Sequence, residues 1–555
     1  MLEKLRLYRD DSITLANFPD KVGEAYRWRG RTLLDQPLQY QTLSGPEISA
    51  RQGLEFACRV SRVLTEKIGV RRGDAVGVYT NNNVDLLLIL MGVFRSGAIA
   101  VPLNYMLRRR EIRYILEDCG ARTLVTDPDL YRMNLGSREA LPTIANWVMA
   151  GPAGDVPPGL GFHVLDALMA EAPAFCEPAS LRPEEPVAIF YTSGTTGFPK
   201  GAVMCSRGLL APQKRAVLLL PAGPKDFGVF ALPLAHIMGF CTVILGLLAG
   251  VSGYFIPHFD AEKVMAALQK FRATAFAGVP TMYAMMIHSG IEKYDLSSVK
   301  LWASAADAMP EEYVKVLRKV GAFARLGPLR LPAVIVEVYG MVELSGSCCM
   351  KIAFPGLRYP PRCVGFPVAP TRVRIVDETG SEMARGKEGE LAVKGPGVTL
   401  GYWNKEEETR ACFTPDGWFR TGDMARKDRL GRIHFVDRKK DVIKSGGYSV
   451  FSREVEAELL TNPKIAEAAV IGVPHPTKKE VPVAIVTLAP GAQATEAELL
   501  EWARQNLARY RAPRDVKIIP ASEMPYGMTL KILKRKLRDR YLDEYTKKFE
   551  EKRTL

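Results

Sequence analysis

Residues 191–200 carry the side chains and the spacing that a phosphate-binding loop needs. Hydroxyl residues alternate with glycines and a lysine follows: Thr192, Ser193, Gly194, Thr195, Thr196, Gly197 and Lys200. Hydroxyl and backbone N–H groups donate hydrogen bonds to phosphate oxygens, glycine lets the backbone approach them, and lysine adds a positive charge. The glycine spacing differs from that of the G-x-x-x-x-G-K-[ST] loop. Residues 186–190 form an apolar, strand-like run, so we expect the loop at the end of a strand rather than in a flexible linker.

This loop resembles the signature loop of the adenylate-forming superfamily, which includes acyl-CoA synthetases, luciferases and the adenylation domains of peptide synthetases. Further motifs of that family follow in order at residues 233–236, 339–343, 401–403, 418–423, 437–441 and 529–532. The resemblance covers residues 54–537 and implies an AMP-forming acid–CoA ligase. In the implied reaction a carboxylate attacks the α-phosphate of ATP and releases pyrophosphate. A thiol, normally that of CoA, then displaces AMP from the acyl-adenylate.

The resemblance assigns catalytic roles to four residues. Lys531 would stabilise the charge shared by the attacking carboxylate and the α-phosphate, and Lys200 would neutralise phosphate charge. Glu343 would hold Mg²⁺ on the phosphates, a task suited to a hard oxygen ligand, and His236 would flank the acyl carboxylate. The family normally has glycine immediately before the catalytic lysine, where this chain has Leu530.

The implied nucleotide site combines residues from several motifs. Tyr339 would stack on adenine, with Ala306 and Asp307 lining its other side. Asp423 would accept hydrogen bonds from both ribose hydroxyls, and Arg438 would be a second contact to ribose and phosphate. The remaining positions of the implied ATP site are Val338, Gly340, Met341 and Val342.

Two of these positions depart from the family pattern. Ala306 stands where the family usually has glycine, and Val342 stands where it has a threonine whose hydroxyl contacts the α-phosphate. A hydrogen bond to a charged group contributes roughly 1.5–3 kcal/mol, so its loss at Val342 leaves three interpretations: a slower first step, a compensating donor or an altered role.

The resemblance also places the acyl group and the thiol. His236, Phe240 and Trp302 would line the acyl pocket, with Phe240 at the position of an aromatic gate in some long-chain members. Residues 237–248 are apolar and carry no aspartate to bind an amino group, which favours a fatty or similar hydrophobic acid. Lys444, Gly446 and Gly447 would face the active site during thiol transfer.

The first half of the chain alternates strand-like and helix-like segments, which predicts parallel sheets covered by helices. Residues 365–402 have short strands and Gly/Pro turns, as in a barrel-like subdomain. We therefore expect a large α/β domain over residues 1–437, with two helix-covered sheets and the small barrel-like part. A small, mobile α+β domain over residues 438–555 would carry the catalytic lysine, and its rotation would alternate the two half-reactions. The family resemblance supplies this boundary.

Composition restricts the setting of the 555-residue chain. The net charge of +14 has no aromatic-interleaved basic patch or zinc finger beside it, so we expect no nucleic-acid partner. Nine scattered cysteines are typical of reduced thiols, and residues 1–11 lack an apolar signal core, so we expect a cytoplasmic protein. Residues 230–257 carry no charge, but proline, histidine and glycines interrupt them, which favours a core helix over a membrane span. A weak contact with the membrane surface stays open.

Three functions fit these observations. The leading hypothesis is an ATP-, Mg²⁺- and CoA-dependent acyl-CoA synthetase that acts on a hydrophobic carboxylic acid. The first alternative is an acyl-adenylate ligase that loads a carrier protein. The second is a non-catalytic adenylate-binding module, motivated by Val342 and Leu530. The sequence leaves the acyl chain, the direction of the reaction and the oligomeric state open, a dimer included.

Overall fold

The computed structural model describes residues 2–26, 40–41, 47–157, 161–192, 199–326, 329–360, 362–445, 448–508, 511–527 and 532–551. Tertiary contacts divide the chain into two compact units. The larger unit comprises Met1–Pro360, Val364–Arg372 and Val393–Phe419, and the smaller one comprises Pro361–Cys363, Val373–Ala392 and Arg420–Leu555. A domain boundary between residues 437 and 438 stays a prediction.

The α-helices, in chain order, are α1 (Leu2–Arg9), α2 (Phe18–Ala25), α3 (Ala50–Arg62), α4 (Val84–Arg95), α5 (Arg109–Cys119), α6 (Pro128–Leu130), α7 (Leu165–Glu171), α8 (Ser206–Leu219), α9 (Ile237–Ala249), α10 (Ala261–Lys270), α11 (Pro280–His288), α12 (Glu311–Val320), α13 (Glu406–Ala411), α14 (Ser452–Leu459), α15 (Glu496–Asn506) and α16 (Lys534–Glu551).

The strands are β1 (Tyr40–Gln41), β2 (Ala75–Tyr79), β3 (Ile99–Pro102), β4 (Thr123–Thr126), β5 (Asn146–Met149), β6 (His163–Val164), β7 (Pro186–Thr192), β8 (Lys200–Cys205), β9 (Phe227–Phe230), β10 (Ser252–Phe255), β11 (Ala275–Gly278), β12 (Leu301–Ala305), β13 (Ala322–Leu326), β14 (Leu329–Pro332), β15 (Val334–Tyr339), β16 (Cys349–Ala353), β17 (Cys363–Pro367), β18 (Arg372–Val376), β19 (Glu388–Lys394), β20 (Gly401–Tyr402), β21 (Phe419–Lys427), β22 (Ile433–Arg438), β23 (Val442–Ser445), β24 (Tyr448–Phe451), β25 (Ile465–His475), β26 (Lys479–Leu488) and β27 (Asp515–Ile518).

The larger unit has two sheets with parallel centres. The first has the order β20-β8-β7-β3-β2-β4-β5-β6, and β2 pairs in parallel with β3 and β4. The second runs β1-β10-β9-β11-β12-β15-β16-β17 and is parallel from β1 to β15. Every residue of β3 and β4 is buried, as expected for strands that helices cover on both faces. The predicted α/β class is confirmed.

Apolar helices pack on these sheets because their sequences are apolar almost all round. Helix α4 begins at Asn83, whose side chain accepts a hydrogen bond from the Leu86 N–H, and it buries nearly all of its residues. The uncharged stretch at residues 230–257 contains α9, which has 13 residues and ends at Gly250 with φ 74°. Leu248 and Ile244 of this helix lie in the same core as α4. Among the residues that the structure describes, no helix combines the length and the apolar character that a bilayer crossing needs.

The smaller unit is built mainly on antiparallel pairing, and β27 is the exception, since it pairs in parallel with β26. Strands β22, β21, β19 and β18 are neighbours in that order, and a second sheet runs β24-β23-β26-β25, with β27 on β26. Helix α14 and helix α15 contribute Val455, Leu459, Leu499 and Ala503 to one core of this unit. The helices α14 and α15 and the strands β25 and β26 agree with the α+β character expected beyond residue 438.

Candidate active site

The carboxyl ends of neighbouring strands carry the adenine candidates of the larger unit. Strand β12 ends at Ala305 and β15 ends at Tyr339, and Ala305 lies opposite Val338 in their parallel register. Ala306 therefore leaves the sheet beside Tyr339. Ligands of open α/β sheets bind outside such strand ends, so the structure brings these two predicted residues together where a nucleotide base would bind.

The predicted phosphate loop connects two paired strands. Thr192 ends β7 and Lys200 begins β8, and the two residues lie opposite each other in antiparallel register. The Thr192 hydroxyl donates to the Lys200 carbonyl over 3.4 Å. Ser193, Gly194, Thr195, Thr196 and Gly197 lie outside the described residues. The strand expected directly before the loop is present as β7, and its residues 187–190 are buried.

Lys200 is held by an ion pair. Its Nζ atom lies 2.5 Å from the Glu408 carboxylate, and its side chain is only 17% exposed. The same Nζ lies 5.3 Å from the centroid of the Tyr402 ring, within the range of a cation–π contact. The ammonium group is thus fixed at the start of β8, next to the predicted phosphate loop.

Glu343 is a buried carboxylate with a tyrosine as its partner. It lies in a short 3₁₀ turn, Val342–Leu344, and the residue is 5% exposed. The Tyr402 hydroxyl donates to Glu343 Oε1 over 2.8 Å. Burial, followed by the charge of the Glu343 carboxylate, raises the pKa of Tyr402, so the phenol stays protonated and donates. A buried carboxylate is costly without such partners, so this hydrogen bond helps Glu343 to occupy the site.

The donor chemistry of Glu343 fits Mg²⁺ on a nucleotide. Mg²⁺ prefers oxygen ligands and is usually bound by one or two carboxylates together with phosphate oxygens and water. Among the described residues, no group of three or more His, Cys, Asp or Glu side chains could hold a metal ion without a substrate. A single protein carboxylate is therefore the arrangement to expect if the triphosphate supplies the other ligands.

Val342 packs in the hydrophobic core. The residue is 8% exposed and belongs to the same core as α4 and α9. An apolar side chain suits this environment, whereas the family's threonine would bring a hydroxyl that needs a partner. The departure noted in the sequence is thus a residue that stabilises the larger unit.

Backbone geometry explains Gly340 and exposes the departure at Ala306. A Cβ atom at Gly340 would lie 2.3 Å from the Gly346 carbonyl oxygen, so only glycine fits there. Ala306 has φ 75°, in the left-handed region that favours glycine. Beside it, Asp307 Oδ1 accepts a hydrogen bond from the Ala308 N–H over 2.8 Å. Alanine in place of the family's usual glycine therefore carries backbone strain.

His236 begins helix α9. Its Nδ1 atom accepts a hydrogen bond from the Met238 N–H over 3.3 Å, so the imidazole caps the helix. The loop before it is clamped by Asn82, whose side chain donates to the Leu232 carbonyl over 3.2 Å and accepts from the Leu234 N–H over 2.7 Å. Asn82 is buried and lies about 150 residues away in the sequence, so it positions the predicted acyl-site histidine from another element.

The two aromatic candidates for the acyl pocket lie in cores. The Phe240 ring packs 5.9 Å from Phe94 and 5.7 Å from Phe190, measured between ring centroids. Trp302 is fully buried in a different core, with its indole N–H donating to the Leu317 carbonyl over 3.0 Å and its ring beside Tyr283. Trp302 therefore occupies a core position, and its side chain has no exposed surface that an acyl chain could contact.

In the smaller unit, Asp423 and Arg438 lie opposite each other on β21 and β22. Arg438 Nε is 3.8 Å from Asp423 Oδ1. The turn before Asp423 is anchored by Glu390, whose Oε1 accepts from the Gly422 N–H over 3.1 Å. Burial by itself raises the pKa of Glu390, but hydrogen bonds from Lys439 and Arg420 outweigh it and lower that pKa. This network fixes the predicted ribose carboxylate.

The residues expected to serve the two half-reactions are only partly described. Lys444 lies on β23, and its N–H donates to Glu480 Oε2 over 3.0 Å. Gly446, Gly447 and Lys531 lie outside the described residues. On either side of the predicted catalytic lysine, Tyr526 and Ile532 form an antiparallel bridge.

Sequence reasoning assigned no role to four residues that contact the candidate site residues or their loops: Tyr402, Glu408, Asn82 and Glu390. Tyr402 was part of a recognised motif, but nothing local indicated its hydrogen bond to Glu343. Glu408 lies in a run of glutamates, and Asn82 in a run of asparagines after a strand, so each had a weak polar signal. Glu390 stands directly before the apolar run of residues 391–393 in β19, with Glu388 two residues earlier, so it too had only a weak signal as a buried ion-pair partner.

Comparison with known proteins identifies the relatives of this chain. The family described as AMP-binding enzyme matches residues 25–403, and its C-terminal domain matches residues 454–525. The feruloyl-CoA synthase of Amycolatopsis sp. is 32% identical over 532 residues, which cover 92% of this chain and all of that protein. The long-chain-fatty-acid–CoA ligase of Bacillus subtilis (strain 168) is 30% identical over 84% of this chain and 86% of its own length. The crystal structure of ATP-bound MatB from Rhodopseudomonas palustris is 29% identical, with a TM-score of 0.82 over 96% of this chain and 100% of that one.

The matched family and the structural neighbour agree with the α/β fold of this chain. Tyr339 and Ala306 lie at the ends of neighbouring strands of that fold. This chain belongs to the AMP-binding enzyme family of the adenylate-forming superfamily, whose AMP-forming acid–CoA ligases use ATP and CoA.

Proposed function

We propose that the protein is an acyl-CoA synthetase for a hydrophobic carboxylic acid. It would form the acyl-adenylate with release of pyrophosphate and then transfer the acyl group to CoA with release of AMP. The names of the relatives agree on an acid–CoA ligase but differ in the acid, which is a long-chain fatty acid for one relative, ferulate for another and 2-succinylbenzoate for a third.

An apolar cluster beside the candidate site carries this proposal. It consists of Leu232, Val279, Met282, Met238, Phe259, Ala277 and Ala306. Ala306 is one of the predicted adenine-lining residues, and Met238 lies two residues after His236, the predicted neighbour of the acyl carboxylate. The cluster therefore extends from the predicted adenine position to the predicted carboxylate position. None of its members can bind a charged or amino group on the substrate. An acid that presents its carboxylate near His236 would therefore place an apolar body against this cluster.

The candidate residues divide the first step among themselves. Lys200 would neutralise phosphate charge, and Glu343 would hold the Mg²⁺ that bridges the phosphates. Lys531 would stabilise the charge that develops between the carboxylate and the α-phosphate, which is the largest demand when two anions meet. Asp423 and Arg438 would bind the ribose, and the segment at Lys444 would serve thiol transfer.

The test is AMP release from ATP with Mg²⁺ and CoA over a panel of acids. Short, medium and long fatty acids, aromatic and alicyclic acids, amino acids and dicarboxylates make up the panel. Turnover with one apolar class supports the proposal and names the substrate. A preference for amino acids or dicarboxylates would refute the hydrophobic pocket. If pyrophosphate is released without CoA but no thioester forms with it, a carrier protein would be the acceptor instead.

A pair of variants tests the cluster itself. Met282→Gln places a polar group in the apolar cluster, so we expect it to raise KM for the preferred acid while KM for ATP stays unchanged. Met265→Gln is the matched control, because Met265 is buried in another core of the larger unit. Equal effects of the two exchanges on KM for the acid would show that the cluster does not contact the acyl group.

A further inference from the structure

Tyr402 connects two of the residues that the proposed function assigns to the phosphates of ATP. Its hydroxyl donates to Glu343 Oε1 over 2.8 Å. The face of its ring lies 5.3 Å from the Lys200 ammonium, which Glu408 holds at 2.5 Å. One side chain therefore contacts both the predicted metal ligand and the predicted phosphate-binding cation.

Tyr402 itself is held by regular structure. It lies on β20, which pairs with β8 so that Tyr402 is opposite Ala202, two residues after Lys200. The Tyr402 N–H donates to the Thr409 hydroxyl over 2.9 Å, and the next residue's N–H donates to the Gly201 carbonyl over 2.8 Å. The backbone of Tyr402 is thus tied to the strand that carries Lys200.

The turn that carries Glu343 is held from the same segment. The Thr399 N–H donates to the Glu343 carbonyl over 2.8 Å, and the Thr399 hydroxyl donates to the Val203 carbonyl of β8 over 2.8 Å. The backbone hydrogen bond therefore fixes the main chain at Glu343. The Tyr402 hydroxyl fixes one carboxylate oxygen at the end of the Glu343 side chain. A glutamate has three rotatable bonds, so the second contact decides where the carboxylate points.

We propose, on the basis of the proposed function, that Tyr402 is a positioning residue for adenylation. Its hydroxyl aims the Glu343 carboxylate at the Mg²⁺ of bound Mg·ATP, and its ring holds the Lys200 ammonium at a fixed place relative to that carboxylate. Partners that orient a metal ligand in this way typically change metal affinity or activity by about 10- to 100-fold when they are removed.

Binding without turnover provides the test. The titrant is α,β-methylene ATP, which cannot release pyrophosphate, and calorimetry measures its binding to the full-length protein at a series of Mg²⁺ concentrations. Tyr402→Phe removes the hydroxyl and keeps the ring, so the Mg²⁺ concentration for half-maximal binding should rise about 10-fold. Binding in EDTA should stay within about twofold of the wild type, because the ring still holds Lys200.

Three further variants make the result specific. Glu343→Gln should remove most of the Mg²⁺ dependence, and the double variant with Tyr402→Phe should be no worse, because both act through one carboxylate. Tyr402→Leu also removes the ring and should weaken binding in EDTA as well. Tyr79→Phe is the control for loss of a buried hydroxyl, since Tyr79 bonds to the Leu107 carbonyl and Asn134 instead.

The outcomes separate the inference from the function. If Glu343→Gln changes the Mg²⁺ dependence and Tyr402→Phe does not, the positioning role is refuted and the assigned role of Glu343 stands. If Glu343→Gln leaves the Mg²⁺ dependence unchanged, the metal role of Glu343 fails and the inference fails with it. A Tyr402→Phe effect that is equally large in EDTA, or that Tyr79→Phe reproduces, shows a general structural role and also refutes the proposal.

Discussion

Replacing Val342 with threonine tests the most informative departure from the family pattern. The exchange restores the hydroxyl that contacts the α-phosphate elsewhere in the family and changes the shape of the side chain very little. The position lies three residues after the end of β15, in the same turn as Glu343. We therefore expect the new hydroxyl to reach the nucleotide without a change of backbone.

The magnitude follows from two opposite effects. A hydrogen bond to a charged phosphate oxygen contributes about 1.5–3 kcal/mol, which corresponds to an affinity roughly 10- to 150-fold higher. In the protein without nucleotide, the 8% exposed position buries a hydroxyl in an apolar core, which costs about 1–3 kcal/mol. Val342→Thr should thus bind the nucleotide more tightly and unfold more easily.

Two measurements check these expectations. Calorimetric titration with Mg²⁺ and α,β-methylene ATP gives the affinity, and thermal unfolding without nucleotide gives a Tm that we expect to fall by about 1–3 °C. Val336→Thr is the matched control, because Val336 is buried on β15 and lies in a different part of the core. It should lower Tm without raising the affinity.

Two results would refute the reasoning. An affinity no higher than that of the wild type would mean that the side chain at position 342 does not face the α-phosphate. A gain of equal size in Val336→Thr would mean that the effect comes from loosening the core rather than from a hydroxyl at the phosphate.

Three other predictions concern strain, the smaller unit and the catalytic lysine. Ala306→Gly should raise Tm, because glycine adopts the φ of 75° without the cost of about 1 kcal/mol that alanine pays there; a lower Tm would show that Ala306 is not strained. Glu390→Gln should destabilise the smaller unit by about 3 kcal/mol in urea unfolding at neutral pH, because it leaves Lys439 and Arg420 without their buried partner. Since the pKa of Glu390 is lowered in the folded protein, the wild type holds this stability above pH 4.5 and loses it as the pH falls, and the difference from the variant should shrink there; a difference independent of pH would contradict the ion-pair explanation. Lys531→Ala should abolish pyrophosphate release but leave thioester formation from supplied acyl-adenylate, and equal loss of both half-reactions would exclude a separate role in the first.

Local patterns in the sequence were sufficient for the α/β fold class and for the elements that flank the candidate site. The apolar run before Thr192 is a strand, Asn83 begins α4 and the uncharged stretch contains α9, because burial and capping depend on nearby residues. The sequence was less informative about Trp302, since an aromatic residue next to a motif has the same local pattern in a pocket and in a core. Only its packing against Tyr283 and the hydrogen bond to Leu317 separate the two.

The sequence by itself determined the family and supplied the candidate groups for ATP, because both depend on residue types in a fixed order. Tertiary structure decided how these groups are held. Glu343 meets Tyr402, 59 residues further along the chain, and Lys200 meets Glu408 across more than 200 residues. Neither pair follows from a local sequence period, because its partners lie far apart in the chain, and the pairing of β20 with β8 is what places Tyr402 near Lys200.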